Sequence, residues 1–284
     1  MFEAWTPKRI SWSLRKARLP IKAFDLVLDV GSGDNPHPAA DVLLERYVDG
    51  FHRFGKLVAD RPIVLADACR MPFADKSFDF VIAFHVLEHV SEPEAFLREL
   101  MRVSKAGYIE TPNAIFERLV PYDIHLLEVM NINDTLIINK KAAAKPDYYL
   151  NELELVRHLS DWNRLFYGNP SLFHVQYLWR NDIKFEVLNP QVACDWLVEQ
   201  PAAELNGDSI QAAQKLSGVK SLGLRGLRKW YKLRKQRNID LTSLLVCPAC
   251  RGALLDETDW LQCVKCQVRY PRQPLPDFNS PVAI

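Results

Sequence analysis

The stretch Leu26 to Pro36, LVLDVGSGDNP, narrows the folds open to this chain more than any other. An apolar run, Leu26-Val27-Leu28, reaches the acid Asp29, and Val30 leads into Gly31-Ser32-Gly33-Asp34-Asn35. Buried parallel strands read as short apolar runs of this kind. Glycines in the following turn let the backbone come close to a ligand. In open α/β sheets, nucleotide-like ligands sit at that strand-to-turn edge. A G-x-G turn also occurs in ordinary loops, so its meaning depends on the strands and acids that succeed it along the chain.

The pattern continues. Ile63 to Ala66 is an apolar run ending at Asp67-Ala68, and Met71-Pro72-Phe73 comes after it. Phe80 to Phe84 is another run, leading into His85-Val86-Leu87-Glu88-His89-Val90. From about Leu26 to Asn113 this succession resembles class I S-adenosylmethionine (SAM)-dependent methyltransferases, in the branch that includes quinone-biosynthesis methyltransferases. The resemblance implies an α/β fold with a Rossmann-like sheet and SAM as methyl donor. It places Asp29, Gly31 and Gly33 at the cofactor. Asp67 and the amide of Ala68 would read the adenine edge, with Met71 to Phe73 packed over the ring.

The turn departs from the usual pattern, because its third small residue is Asn35 rather than Gly. Asn tolerates left-handed geometry better than most residues. Pro36 and Pro38 leave little room for a helix before the second strand, Ala40 to Glu45. An acid at that strand's end would accept hydrogen bonds from both ribose hydroxyls, as acids do in dinucleotide folds. Glu45 is expected there, with Asp41, Asp49 and Asp60 as alternatives.

His85 ends the fourth strand and heads the candidates for a base near the reacting methyl. His89, Glu110 and His125 come after it, in that order. Two histidines and a glutamate over His85 to His89 invite a metal reading, which is set aside. His85 and His89 are four apart, but the intervening Glu88 and the strand-to-helix turn argue against one shared helical face, and no third ligand to join the two histidines is evident. Ser91-Glu92-Pro93-Glu94 has the form of a helix start with a capping Ser and an early Pro. Phe96, Leu100 and Val103 keep helical spacing. Gly107 to Asn113 is the expected fifth strand.

Ile124 to Met130 and Thr135 to Asn139, around a turn at Asn131 to Asp134, predict a hairpin supplying the sixth and seventh strands of the sheet. Tyr148 to Leu165 is helix-like, with Trp162, Phe166 and Tyr167 at its end. Leu172 to Trp179 and Ile183 to Leu188 predict another hairpin. These insertions, about 114–190, are where the resembling family places substrate specificity. No Asn-Pro-Pro-Tyr motif is present, which counts against glutamine or nucleobase-amine methylation.

Of six cysteines, four form two pairs, Cys247-Pro248-Ala249-Cys250 and Cys263-Val264-Lys265-Cys266. Four thiolates at this spacing suit a tetrahedral structural zinc, which a core this small needs. Residues from about Leu241 to Asp277 resemble the small zinc-ribbon activator of methyltransferases that act on tRNA, rRNA and release factors. That resemblance implies a ribbon covering an apolar face of its partner, here in cis through Leu244, Leu245, Val246 and Tyr270.

The expected organisation is a methyltransferase domain over 1–190, a linker with a basic amphipathic helix over 191–240, and a zinc ribbon over 241–284. The basic stretch 223–237 suits a solvated connector, an anionic membrane surface or, less well, RNA. Residues 8 to 18 predict a short amphipathic helix over the sheet edge or the cofactor mouth. A net charge of +1 gives no whole-chain case for nucleic acid. No apolar run approaches the roughly 18 residues that cross a bilayer, and no signal-peptide core is seen. A cytoplasmic enzyme is expected, with peripheral contact to the inner face of the membrane open to it. Its acceptor is expected to be a small molecule, saccharide or lipid-linked glycan. The alternatives are an enzyme acting on RNA or a translation protein, and a non-catalytic scaffold.

Overall fold

A switch in strand order organises the molecule. In the computed structural model, residues 15–48, 57–143, 160–194 and 239–282 are described. The strands β1 (Val27–Val30), β2 (Val42–Glu45), β3 (Ile63–Leu65), β4 (Phe80–Phe84) and β5 (Ala106–Pro112) run parallel. Their order is β3-β2-β1-β4-β5. The chain thus walks outward from β1 to β3 and returns to β4 on the other side. This leaves a crevice at the carboxyl ends of β1 and β4, the usual ligand site of open α/β sheets. All four residues of β1 are buried, as its apolar run predicts.

Helix α1 (Pro93–Val103) buries Phe96, Leu97, Leu100 and Val103 on one face. Its Pro stands at the first position as expected, but Ser91 does not cap it. The residue before the helix is Glu92, and no side chain bonds the first turn. A second, shorter helix, α2 (Ala114–Leu119), is capped by Asn113, whose side chain accepts from the Phe116 amide at 3.0 Å.

The predicted hairpin of β6 (Leu127–Ile132) and β7 (Thr135–Lys140) forms. Asn133 and Asp134 turn it with φ of 50° and 61°, the left-handed pair that matches strand twist. It does not join the main sheet. It pairs instead with β9 (Phe185–Val187), parallel to β7, in a separate three-stranded sheet. The strand beside β5 is β8 (His174–Arg180), antiparallel over seven residues. β8 and β9 therefore lie in different sheets, and the hairpin expected over 172–188 is not made. The reason lies in β8's alternation. Val175, Tyr177 and Trp179 face inward and residues between them face out, the pattern of an antiparallel edge strand.

Near the C-terminus, β10 (Leu254–Asp256), β11 (Trp260–Cys263) and β12 (Arg269–Pro271) form an antiparallel sheet. It docks on the larger sheet's periphery. The Val246 amide donates to the Pro72 carbonyl at 2.9 Å, and the Ala74 amide donates to Leu244 at 3.0 Å. Leu245, Cys247, Leu261, Tyr270 and Phe278 share one buried cluster with Met71, Phe73 and Leu97. Arg251 reaches across to Glu99 at 3.1 Å and Asp75 at 3.4 Å. The tail then returns to the outer strand. Leu65 donates to Pro276 at 2.8 Å, and Phe278 donates back to Leu65 at 2.7 Å. The tail so covers an edge that would otherwise expose unpaired backbone groups.

The basic stretch 223–237 lies outside the described residues, as does most of the linker and of the helix expected over 8 to 18. Of the latter, Arg15–Arg18 forms a 3-10 turn. From the helix expected over 148 to 165, the described part is α3 (Ser160–Gly168). No helix among the described residues is long and apolar enough to cross a membrane.

Candidate functional site

The glycine turn after β1 takes its shape from its two glycines. Gly31 and Gly33 have φ of 63° and 57°. Asn35 is not left-handed, so the tolerance expected of it is not used. A Cβ on Gly31 would stand 2.6 Å from Cγ2 of Val86, so any side chain there meets the turn after β4. Glu45 braces the loop: one of its oxygens accepts from the Ser32 hydroxyl at 2.6 Å and from the Gly33 amide at 2.9 Å.

Asp29 accepts the His37 amide at 2.7 Å. His37 has a fixed tautomer. Its Nδ1 accepts the Ala39 amide at 3.1 Å, so the proton lies on Nε2 and is donated to the Lys16 carbonyl at 2.7 Å. Burial raises the Asp29 pKa to about 6, against the opposing pull of the His37 amide and Lys16. The Lys16 ammonium lies 4.4 Å above the Phe84 ring.

Lys16, Asp29, the glycine turn and Phe84 line a cavity of about 510 Å³ at the carboxyl ends of β1 and β4. Asp29, Gly31 and Gly33 line it, and so do His85, His89 and His125 with Phe116, Tyr122 and His174. The expected site residues Glu45, Asp67, Ala68 and Glu110 do not line it. Asp67 faces its own turn, accepting the Cys69 amide at 2.8 Å, and stands 3.6 Å from Arg46.

His85 has φ of 54°, the left-handed region, which turns its ring into the cavity mouth. Its Nδ1 lies 3.2 Å from Glu88 and its Nε2 lies 3.7 Å from Glu110. Desolvation is the largest influence and works against its charged form, but the bond to Glu88 together with the negative charges of Glu88 and Glu110 outweighs it, and the pKa is raised. Glu88 is buried yet held ionised, down to about 2, because His85 and two further histidines offset the desolvation. Glu110 is committed elsewhere. Arg15 grips both its oxygens at 2.7 to 3.0 Å, and the Tyr108 hydroxyl donates at 2.9 Å.

His89 and His125 meet edge to face, their rings 4.7 Å apart. His89 Nδ1 bonds the Ile124 carbonyl at 2.9 Å. His125 Nδ1 bonds Glu117, whose other oxygen accepts from Lys141 at 2.9 Å. Sequence reasoning missed Arg15, Lys16, His37, Glu117 and His174. Glu117 sits eight residues before His125, a spacing with no periodic meaning once a loop intervenes. The others come from distant segments and carry no local signal.

The four cysteines gather at the β10–β12 sheet, with sulfur atoms within 4.8 Å of one another. Cys247 and Cys266 sulfurs are 3.6 Å apart, and those of Cys250 and Cys263 are 3.4 Å apart. The donor set suits zinc. The cradle around it is tight, since a Cβ on Gly252 would stand 3.0 Å from the Cys263 sulfur. Burial opposes ionisation of Cys263, but the amides of Cys266 and Lys265 pull it down to about 7.

Residues 38–109 match the family model described as "Methyltransferase domain". The demethylmenaquinone methyltransferase of Paenarthrobacter aurescens is 28% identical over 164 residues, covering 55% of this chain and 65% of its own length. That of Renibacterium salmoninarum is 39% identical over 88 residues, or 28% of this chain and 37% of its own. The chain thus spans less than two thirds of the length of either curated relative. Among solved structures, a Haloferax volcanii complex between a methyltransferase activator and a methyltransferase aligns at 14% identity and a TM-score of 0.37. It covers 63% of this chain and 97% of that one.

Proposed function

From a Rossmann-like sheet whose residues 38–109 match the methyltransferase-domain model, we propose that this protein moves a methyl group from SAM to a small-molecule, saccharide or lipid-linked glycan acceptor. One observation carries the reading: the glycine turn and His85 share a single cavity at the switch point of the sheet. When bound, SAM supplies a methyl carbon activated by a sulfonium. Gly31 and Gly33 would let the loop backbone approach the methionine part, and the Asp29 carboxylate would oppose its positive charge. Glu45 would take the ribose hydroxyls after releasing the loop amide it now holds. Asp67 and the Ala68 amide would read adenine.

For a hydroxyl acceptor, His85 would take the proton, since Glu88 makes its ring a better acceptor than free imidazole. His89, Glu110 and His125 stand behind it, and Glu110 is the least suited because Arg15 holds it as a carboxylate. Positioning would supply most of the acceleration. Cys247, Cys250, Cys263 and Cys266 would hold one structural zinc. The relatives' quinone-type acceptors support a small-molecule substrate.

SAM calorimetry is the test. The chain should bind SAM, and Gly31→Val and Asp67→Ala should each weaken it about tenfold or more. Unchanged affinity in both would end the cofactor assignment, and no SAM binding at all would favour a scaffold. Mass spectrometry of metabolites and glycans from a deletion strain should reveal an acceptor lacking one methyl. A second reading, methylation of RNA or a translation protein, draws on the docking of the cysteine-bearing sheet in cis. Binding of the chain to RNA but not to anionic liposomes would favour it and would count against membrane contact through residues 223–237.

A further inference from the structure

Beside His85, the cavity holds three ligand-type side chains: Glu88, which bonds His85, and His89 and His125, to which the methyl-transfer reading gives only a reserve role. Glu88 and His89 come from the 3-10 turn Leu87–His89, and His125 comes from the segment before β6. One carboxylate oxygen and two ring nitrogens lie within 4.8 Å of one another. All three residues line the cavity. The sequence shows no third ligand near Glu88 and His89; the fold brings His125 to them.

Both imidazoles are oriented from behind. His89 gives its Nδ1 proton to the Ile124 carbonyl, so its ring lone pair is on Nε2. His125 gives its Nδ1 proton to Glu117, which Lys141 balances, so its lone pair is also on Nε2. Metal-ligating histidines are held in this way, by a backbone carbonyl or a carboxylate on the far nitrogen. Glu88 is anchored by the Thr111 hydroxyl at 2.8 Å and is 1% exposed. Its other oxygen faces His85 Nδ1 at 3.2 Å, so the carboxylate is held in place from two sides.

We propose that Glu88, His89 and His125 bind a divalent transition-metal cation on the cavity floor. Two imidazoles and one carboxylate favour zinc, cobalt, iron or nickel over magnesium or calcium, which prefer oxygen ligands. Ligand bonds of about 2.0–2.2 Å draw the three donors inward by roughly an ångström. Three protein ligands leave at least one position turned to the cavity. The role of the ion, though not its binding, rests on the methyl-transfer reading. An acceptor hydroxyl on the ion would lose its proton to His85. The oxygen's electron pair would then form the bond to the methyl carbon while the carbon–sulfur bond breaks, leaving sulfur neutral with its pair.

The test uses the full chain with its cysteine site filled by zinc. Titration with cobalt alone, followed by calorimetry and absorbance, should show one further equivalent without sulfur-to-cobalt charge-transfer bands. His125→Ala and Glu88→Gln should lower that affinity at least tenfold, and Glu117→Gln should lower it less. Melting scans check that each variant folds. If His125→Ala does not fold, His89→Gln, on a partly exposed ring, serves in its place. No further equivalent in the wild type, or unchanged affinity in folded His125→Ala or His89→Gln, overturns the site. Cobalt binding is read without SAM. Failure of SAM binding would therefore defeat the methyl-transfer reading alone, and failure of cobalt binding would defeat the metal site alone.

Discussion

Asp29 would fill the role in SAM binding proposed above at the expense of stability. It is buried at the end of β1 with a pKa near 6, against an ordinary value of 3.8. Lys16 and Arg61 favour its charge and Glu45 opposes it, but burial dominates. The folded state therefore holds the proton more tightly than the unfolded one. Between the two values, lowering the pH stabilises the fold; above about 6 the full penalty of the buried charge is present. Asp29→Asn should raise stability at neutral pH by on the order of 1–3 kcal/mol. That gain should shrink as pH falls from about 6 toward 3.8, which thermal melts across the range would show. SAM affinity should move the other way. In the wild type it should drop below about pH 6 as the carboxylate is neutralised, and in Asp29→Asn it should be weak throughout.

At the scale of elements, the tightest seam is β4–β5–β8. Gly107 in β5 faces both neighbours: a Cβ there would stand 2.6 Å from the Val81 carbonyl and 2.8 Å from the Trp179 ring. Gly107→Ala should therefore destabilise by about 1–3 kcal/mol, the usual range for overpacking. Urea denaturation should show a lower midpoint with an unchanged slope. A midpoint equal to that of the wild type would mean that β8 does not pack against β5 as described. The exchange of roles between β8 and the β6–β7 hairpin is a matter of range. Asn133 and Asp134 announce a hairpin locally, whereas the seven-residue match of β8 to β5 appears only when distant segments meet.

Across the whole molecule, the cysteine-bearing sheet and the tail clasp the larger sheet at two places, the Pro72–Ala74 segment and the β3 edge. Cys263→Ser should abolish zinc retention in the four-thiolate site and lower the solubility of the full chain, because Leu245 and Tyr270 would leave the shared cluster. Affinity for SAM in the soluble fraction should change little, since Cys263, Leu245 and Tyr270 are not among the residues proposed to hold SAM. Metal analysis and sedimentation check both outcomes. Removal of residues 241 to 284 should uncover Phe73 and the outer backbone of β3, and the melting temperature should fall. An unaltered melting temperature would make the sheet an independent module.

Elements whose signals are local could be read from the chain of residues alone. The apolar runs of β1 to β5, the glycine turn at Gly31 and Gly33, the hairpin at Asn133 and Asp134 and the clustering of the paired cysteines are all legible there. Each arises from burial, a backbone angle or a short spacing that neighbours in the chain impose. Which strands share a sheet, and what surrounds the cavity, emerged only with the packed fold. Glu110 was legible as a strand-end acid, but its capture by Arg15 was not. His125 was legible as a candidate base within the strand expected over Ile124 to Met130, but its place before β6 and its meeting with Glu88 and His89 were not. Contacts of this kind depend on how separately formed elements pack, and packing brings together residues whose spacing in the chain carries no information.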